Sequence, residues 1–114
     1  MTYVKNYDQL ATNDNRKVVL DLIEEAYASI SPIEVFKKDF SLTDKILKIK
    51  DKTFDLSNFE RIFLIGFGKG SAGNCKILEE KLGNILTEGF DIDVVEDPSF
   101  AKIKYTKGTH PLPS

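Results

Sequence analysis

The chain has 114 residues, with 16 basic and 18 acidic side chains, a formal net charge of −2, 41% hydrophobic and 30% charged residues. That is the length of one small domain with a thin core and ordinary globular composition, and it lacks the basic face that phosphate-backbone binding needs, so nucleic acid is not an expected partner. One cysteine, Cys75, and one histidine, His110, exclude an internal disulfide framework and a Cys/His zinc cluster.

Residues 1–13 are polar and mixed, and read as a flexible N-terminus; residues 14–114 read as one α/β domain. Val19, Leu22, Ile23, Ala26, Tyr27 and Ile30 fall at helical spacing and predict an amphipathic helix over 14–29. Ser31, Pro32 and Glu34 form a capping-box pattern with proline at the first helical position. They predict a short second helix with Ile33, Phe36 and Phe40 on one side. The runs 46–49 and 53–56, around polar Lys50, Asp51 and Lys52, predict a hairpin.

Residues 61–95 read as strand, glycine loop, helix, turn, strand. The apolar run Ile62-Phe63-Leu64-Ile65 predicts a strand buried on both faces. It is also the longest such run, far short of a membrane span. Ala72, Cys75, Leu78, Leu82 and Ile85 predict a helix over 71–86, with Cys75 in the core and Lys76, Glu79, Glu80 and Lys81 on the solvated face. Phe90, Ile92 and Val94 alternate with Asp91 and Asp93, which fits a strand with one wet face better than a metal pair. Residues 103–105 can form one more strand. The strand–helix–strand order implies a Rossmann-like parallel core with a right-handed crossover, plus N-terminal helices and a short hairpin. The beginning of the chain has no apolar signal core, so the expected location is cytoplasmic.

The run Gly66-Phe67-Gly68-Lys69-Gly70-Ser71 joins the first of these strands to its helix. Glycines let backbone amides approach a ligand, a helix N-terminus adds unpaired N–H groups, Lys69 adds a charge and Ser71 a hydroxyl. An anion site, phosphate first among candidates, is the functional reading; a structural strand-to-helix turn is the plain one. The run lacks the spacing of a P-loop, and Ser71 stands where the dinucleotide fingerprint has its last glycine. The second motif is Thr109-His110-Pro111-Leu112-Pro113, where two prolines stiffen the path that carries the histidine. His110 is either a proton-handling group or an exposed histidine.

Taken together, Ser31-Pro32, Phe54-Asp55-Leu56-Ser57, Ile65-Gly66-Phe67-Gly68-Lys69 and Gly108-Thr109-His110-Pro111-Leu112-Pro113 resemble, in order and spacing, the N-terminal part of class II glycerate kinases, the glycerate 2-kinase family with a MOFRL domain. The resemblance covers about residues 16–114. It implies transfer of the γ-phosphoryl of ATP, with Mg²⁺, to the 2-hydroxyl of D-glycerate. Lys69 would then be the catalytic lysine, Gly66, Gly68, Gly70 and Ser71 would bind phosphate or carboxylate, and His110 would orient substrate. Gly70 stands in place of the family's usual alanine, and Ser114 in place of its aspartate. Family members are several times longer and close a cleft between two domains. The 114 residues are therefore expected to be a partial domain, nearly inactive alone, with a separate chain or second domain completing the cleft. The other readings are a Rossmann-type module for a dinucleotide or sugar phosphate, and a non-enzymatic α/β remnant that offers a sheet edge for pairing.

Overall fold

The computed structural model describes residues 2–112, and the chain folds as two compact units, residues 1–38 and 39–114. The first unit is helical: α1 (Tyr7–Leu10), α2 (Asp14–Ser29) and α3 (Pro32–Asp39), the last running one residue into the second unit. α2 has its predicted bounds, because the side chain of Asn13 accepts from the N–H of Arg16 at 3.0 Å and caps it. The segment read as flexible carries α1 and is tied to α2. The N–H groups of Tyr3 and Val4 donate to the Glu24 carboxylate at 2.7–3.0 Å, and the Tyr3 ring stacks on Tyr27. Apolar periodicity carries no trace of such a tie.

Two other expectations change here. The predicted apolar stripe of α2 lies exposed, and Leu20, off that stripe, is the residue it buries. At α3 the Ser31 carbonyl accepts from Val35, while the Glu34 carboxylate pairs with Lys37 at 2.8 Å instead of reaching back to close a capping box.

The second unit contains two three-stranded sheets. β1 (Phe40–Thr43), β2 (Ile46–Ile49) and β3 (Lys52–Asp55) form an antiparallel meander. The hairpin of the sequence is its β2–β3 half, with Lys50 and Asp51 as the turn. β1 was not anticipated: Phe40, assigned to the side of α3, starts this strand and pairs with Ile49. The β1–β2 turn puts Asp44 at φ 49° and Lys45 at φ 67°, the two positive values of a twist-matched hairpin turn, without the glycine that normally signals one.

β4 (Phe63–Phe67), β5 (Glu88–Asp93) and β6 (Ile103–Lys107) are all parallel, in the order β4-β5-β6. α4 (Ser71–Leu82) packs on β4 and β5 and ends at Leu82, four residues before the predicted end, followed by a 3₁₀ turn over Gly83–Ile85. Leu56, Cys75, Leu82, Leu86 and Ile103 form the buried core between α4 and the parallel sheet, with Leu42 and Leu47 of the meander packed against it. The result is the expected α/β class.

The expectation that the first parallel strand is buried on both faces is overturned. Phe63, Ile65 and Phe67 are 54%, 70% and 80% exposed, while Gly66 is buried. α4 covers only one face, and no described element covers the other. Glu79, expected on the solvated face of α4, is buried. Its carboxylate accepts from the N–H groups of Ala101 (3.1 Å), Lys102 (2.6 Å) and Ile103 (3.1 Å), and so fixes the start of β6. Burial alone would raise the Glu79 carboxyl, but these three donors and nearby Lys76 outweigh it and hold the group below its ordinary value.

Candidate functional site

Parallel strands end on one side of their sheet, and ligands of open α/β sheets gather at those carboxyl ends. Lys69 follows β4 and His110 follows β6, so both sit at this end with β5 between them. At ordinary strand spacing β4 and β6 lie roughly 10 Å apart.

The loop between β4 and α4 is shaped by its glycines for two different reasons. Gly68 (φ 96°) and Gly70 (φ 91°) take left-handed backbone conformations with open space around them. Gly66 is needed for room: a Cβ there would meet Cys75 Sγ at 2.3 Å and Asp91 Oδ1 at 2.4 Å. Gly66 therefore has a packing role, and the structure gives no support for a direct contact to an anion.

The backbone donors that the sequence assigned to an anion are already engaged. Gly68 N–H donates to the Ile92 carbonyl at 3.0 Å, and Ser71 N–H donates to the Gly68 carbonyl at 3.1 Å. Gly70 N–H and Ala72 N–H both donate to Asp93 Oδ2, at 3.1 and 2.9 Å, and Val94 N–H donates to Oδ1 at 2.6 Å. The chain's own carboxylate thus occupies the N-terminus of α4, where the helix dipole favours negative charge. Asp93 is 2% exposed. Its burial pushes the carboxyl up, but the N–H groups of Ala72, Val94 and Gly70 prevail and hold it below its ordinary value. The phosphate cradle expected at Gly68, Gly70 and Ser71 is corrected to a self-capped helix start.

Ser71 is turned inward as well: its hydroxyl donates to Asp91 Oδ1 at 2.6 Å. Asp91 is fully buried, its Oδ1 lies 3.7 Å from Cys75 Sγ, and its Oδ2 has no hydrogen-bond partner among the described residues. Burial, and then the Asp91 charge, push the Cys75 thiol up to about 11. Cys75 is thus the inert core residue the sequence suggested. The wet-face reading of β5 is inverted: Asp91 and Asp93 face α4, and Phe90 and Ile92 face outward. Spacing could not reveal this, because the donors that make the buried carboxylates tolerable come from α4.

Lys69 remains. Its side chain is exposed and makes no hydrogen bond or ion pair among the described residues, so it is free to meet an anion. His110 is exposed too; Thr109, beside it, donates its hydroxyl to the Leu112 carbonyl. Pro113 and Ser114, the end of the second motif, lie outside the described residues. Among the described residues no group of three or more His, Cys, Asp or Glu is placed to hold a metal ion. Both oxygens of Asp93 are taken and Asp91 is sealed in, so the loop carboxylates do not fit a Mg²⁺ site. Among the described residues no helix is long and apolar enough to cross a membrane.

A family model described as a domain of unknown function, DUF4147, matches residues 18–114. A glycerate kinase of Rattus norvegicus is 34% identical over 70 residues, which are 60% of this chain and 13% of that protein. A glycerate kinase of Mus musculus is 33% identical over the same shares, and an uncharacterized protein of Caenorhabditis elegans is 32% identical over 64% of this chain and 16% of its own length. The crystal structure of the PH0495 protein from Pyrococcus horikoshii OT3 superposes with a TM-score of 0.66, at 21% identity, over 90% of this chain and 23% of that one. The chain therefore spans well under a quarter of the curated relatives it matches.

Proposed function

The chain belongs to the DUF4147 family found at the N-termini of glycerate kinases, and from that premise we propose that it supplies one wall of a glycerate 2-kinase active site. The reaction is transfer of the γ-phosphoryl of ATP to the 2-hydroxyl oxygen of D-glycerate, giving 2-phosphoglycerate. The carrying observation is the exposed Lys69, unpaired among the described residues, at the carboxyl end of the parallel sheet, on the same side as His110.

In this chemistry charge spreads over the transferred phosphoryl oxygens, and positioned cations do most of the catalytic work. Lys69 is the catalytic group: its ammonium meets an anionic oxygen of the phosphoryl group. The α4 N-terminus does not share that task, because Asp93 already fills it. Asp93 instead holds the loop on which Lys69 stands. His110 contributes a hydrogen bond that orients substrate. The Mg²⁺ that phosphoryl transfer uses would be held by groups outside the described residues.

Replacing the matching segment of the rat glycerate kinase with this chain tests the reading. Lys69→Ala in that chimera is expected to lower kcat roughly 10²–10³-fold, and His110→Ala to act mainly on KM. The 114-residue chain alone is expected to turn over no glycerate above its Lys69→Ala control. Amide NMR titration with Mg-ATP, D-glycerate and NAD in turn separates the dinucleotide reading: shifts around residues 68–71 from NAD alone would overturn the kinase proposal.

A further inference from the structure

Two side chains of the second unit share an arrangement: a buried carboxylate that accepts from three backbone N–H groups. Glu79 takes those of Ala101, Lys102 and Ile103 at the amino end of β6. Asp93 takes those of Gly70, Ala72 and Val94 at the carboxyl end of β5. The first is remote from both motifs. The second lies between the loops that carry Lys69 and His110, because β5 is the middle strand.

Lys69 is bracketed by ties to the end of β5. The residue before it, Gly68, donates its N–H to the Ile92 carbonyl, and the residue after it, Gly70, donates its N–H to Asp93 Oδ2. Two glycines flanking the lysine leave its path free to vary, so these ties are what hold it to one course. On the other edge of β5 the Asp93 carbonyl accepts from Gly108 N–H at 2.7 Å, two residues before His110. Gly108 passes close by: a Cβ there would come within 3.3 Å of Ile92 Cγ2 and 3.6 Å of the Asp93 carbonyl oxygen. One residue thus reaches both loops, one with its side chain and one with its main chain.

We propose that Asp93 is a positioning residue that joins the Lys69 loop to the His110 loop and sets the span across which the two groups meet substrate. The proposal rests on the kinase reading of Lys69. Asp93 itself meets no reactant, since it is 2% exposed and both its carboxylate oxygens are engaged. Its carboxylate is the adjustable side of the joint: without it the Lys69 loop shifts, while the main-chain bond to Gly108 still holds the His110 loop. A displacement of about 1 Å at a reacting group is enough to cost roughly 10²-fold in rate. Asparagine keeps an oxygen for the Gly70 and Ala72 amides and turns its own amide toward Val94 N–H, whereas alanine keeps no acceptor.

The test combines hydrogen exchange on the full chain with kinetics of the rat kinase chimera that carries it. In the chain, Asp93→Ala is expected to strip protection from the Gly70 and Ala72 amides and to leave that of Gly108, while Asp93→Asn retains all three. In the chimera, Asp93→Ala is expected to lower kcat roughly 10–100-fold with KM for ATP and D-glycerate within about threefold, and Asp93→Asn to keep kcat within about threefold. Glu79→Gln, which disturbs the remote carboxylate, is expected to lower stability and leave kcat unchanged. In a Lys69→Ala background Asp93→Ala is expected to cost less than about threefold in kcat, because its effect runs through the lysine. Amide spectra establish that each variant folds, and Asp93→Ser replaces Asp93→Ala if the latter does not. Equal kcat losses in Asp93→Ala and Glu79→Gln would reduce Asp93 to a structural role and overturn the proposal. So would an undiminished cost of Asp93→Ala in the Lys69→Ala background, or a Gly70 amide still protected in Asp93→Ala. Full kcat in the Lys69→Ala chimera would instead overturn the kinase reading, and this proposal with it.

Discussion

The two faces of the β4–β5–β6 sheet carry the opposite of what burial rules suggest. The face under α4 holds the carboxylates Asp91 and Asp93, at 0% and 2% exposure, and the open face holds phenylalanines and isoleucines. The inner face tolerates charge because the start of α4 is a donor array: the Gly70 and Ala72 amides and the Ser71 hydroxyl all point into it. A buried carboxylate is costly unless such donors meet it. The outer face is apolar, and no described element covers it. Burial alone is thus a poor guide to polarity in an element that meets fixed donors on one side and no described element on the other.

The largest break in this contrast is Asp93→Ala, which strands the two amides at the α4 start. It is expected to cost about 2–4 kcal/mol in urea unfolding, with Asp93→Asn losing about half as much. A loss near zero would mean that water replaces the carboxylate and the self-cap is unimportant. Next is Gly66→Ala, whose methyl meets Cys75 and Asp91. A loss of about 1–3 kcal/mol is expected, partly recovered by adding Cys75→Ala; equal losses in single and double variants would rule out the clash.

Acid sharpens the comparison further. Asp93 and Glu79 are held below their ordinary values of 3.8 and 4.5 in the folded state. Their contribution is therefore complete above those values and is lost as pH falls below them through the lower folded values. The urea midpoint of the chain is expected to drop below about pH 4.5, and Asp93→Asn to flatten that drop. Identical pH profiles for the two proteins would remove Asp93 from the account. The smallest effects belong to the open side: Ile65→Lys and Lys69→Ala should each shift stability of the isolated chain by less than about 0.5 kcal/mol. A large loss at Ile65 would show that its face is covered after all.

Much of the architecture was legible because its signals are local. Helical spacing locates α2, the glycines locate the β4–α4 turn, and alternation locates β5. β1 was not legible, since its turn uses Asp44 and Lys45 rather than Asn-Gly. The site was legible in part. Lys69 stands out as a cation in a glycine loop, but the use of Gly70 and Ala72 amides by Asp93 involves a residue more than twenty positions away. Local spacing puts Glu79 on the wrong face for the same reason: its partners Ala101, Lys102 and Ile103 lie more than twenty positions away, at the start of β6.

By itself the sequence determined the α/β order, the parallel core, the family resemblance and the two motifs that flank the sheet, because each depends on neighbours within a few turns or strand steps. Only the tertiary structure decided which face of β5 is buried, that the α4 N-terminus is filled from within, and that one side of β4 stands open. Those outcomes depend on which distant groups meet, and a one-dimensional pattern of polar and apolar residues leaves that choice degenerate until donors and acceptors are brought together in space.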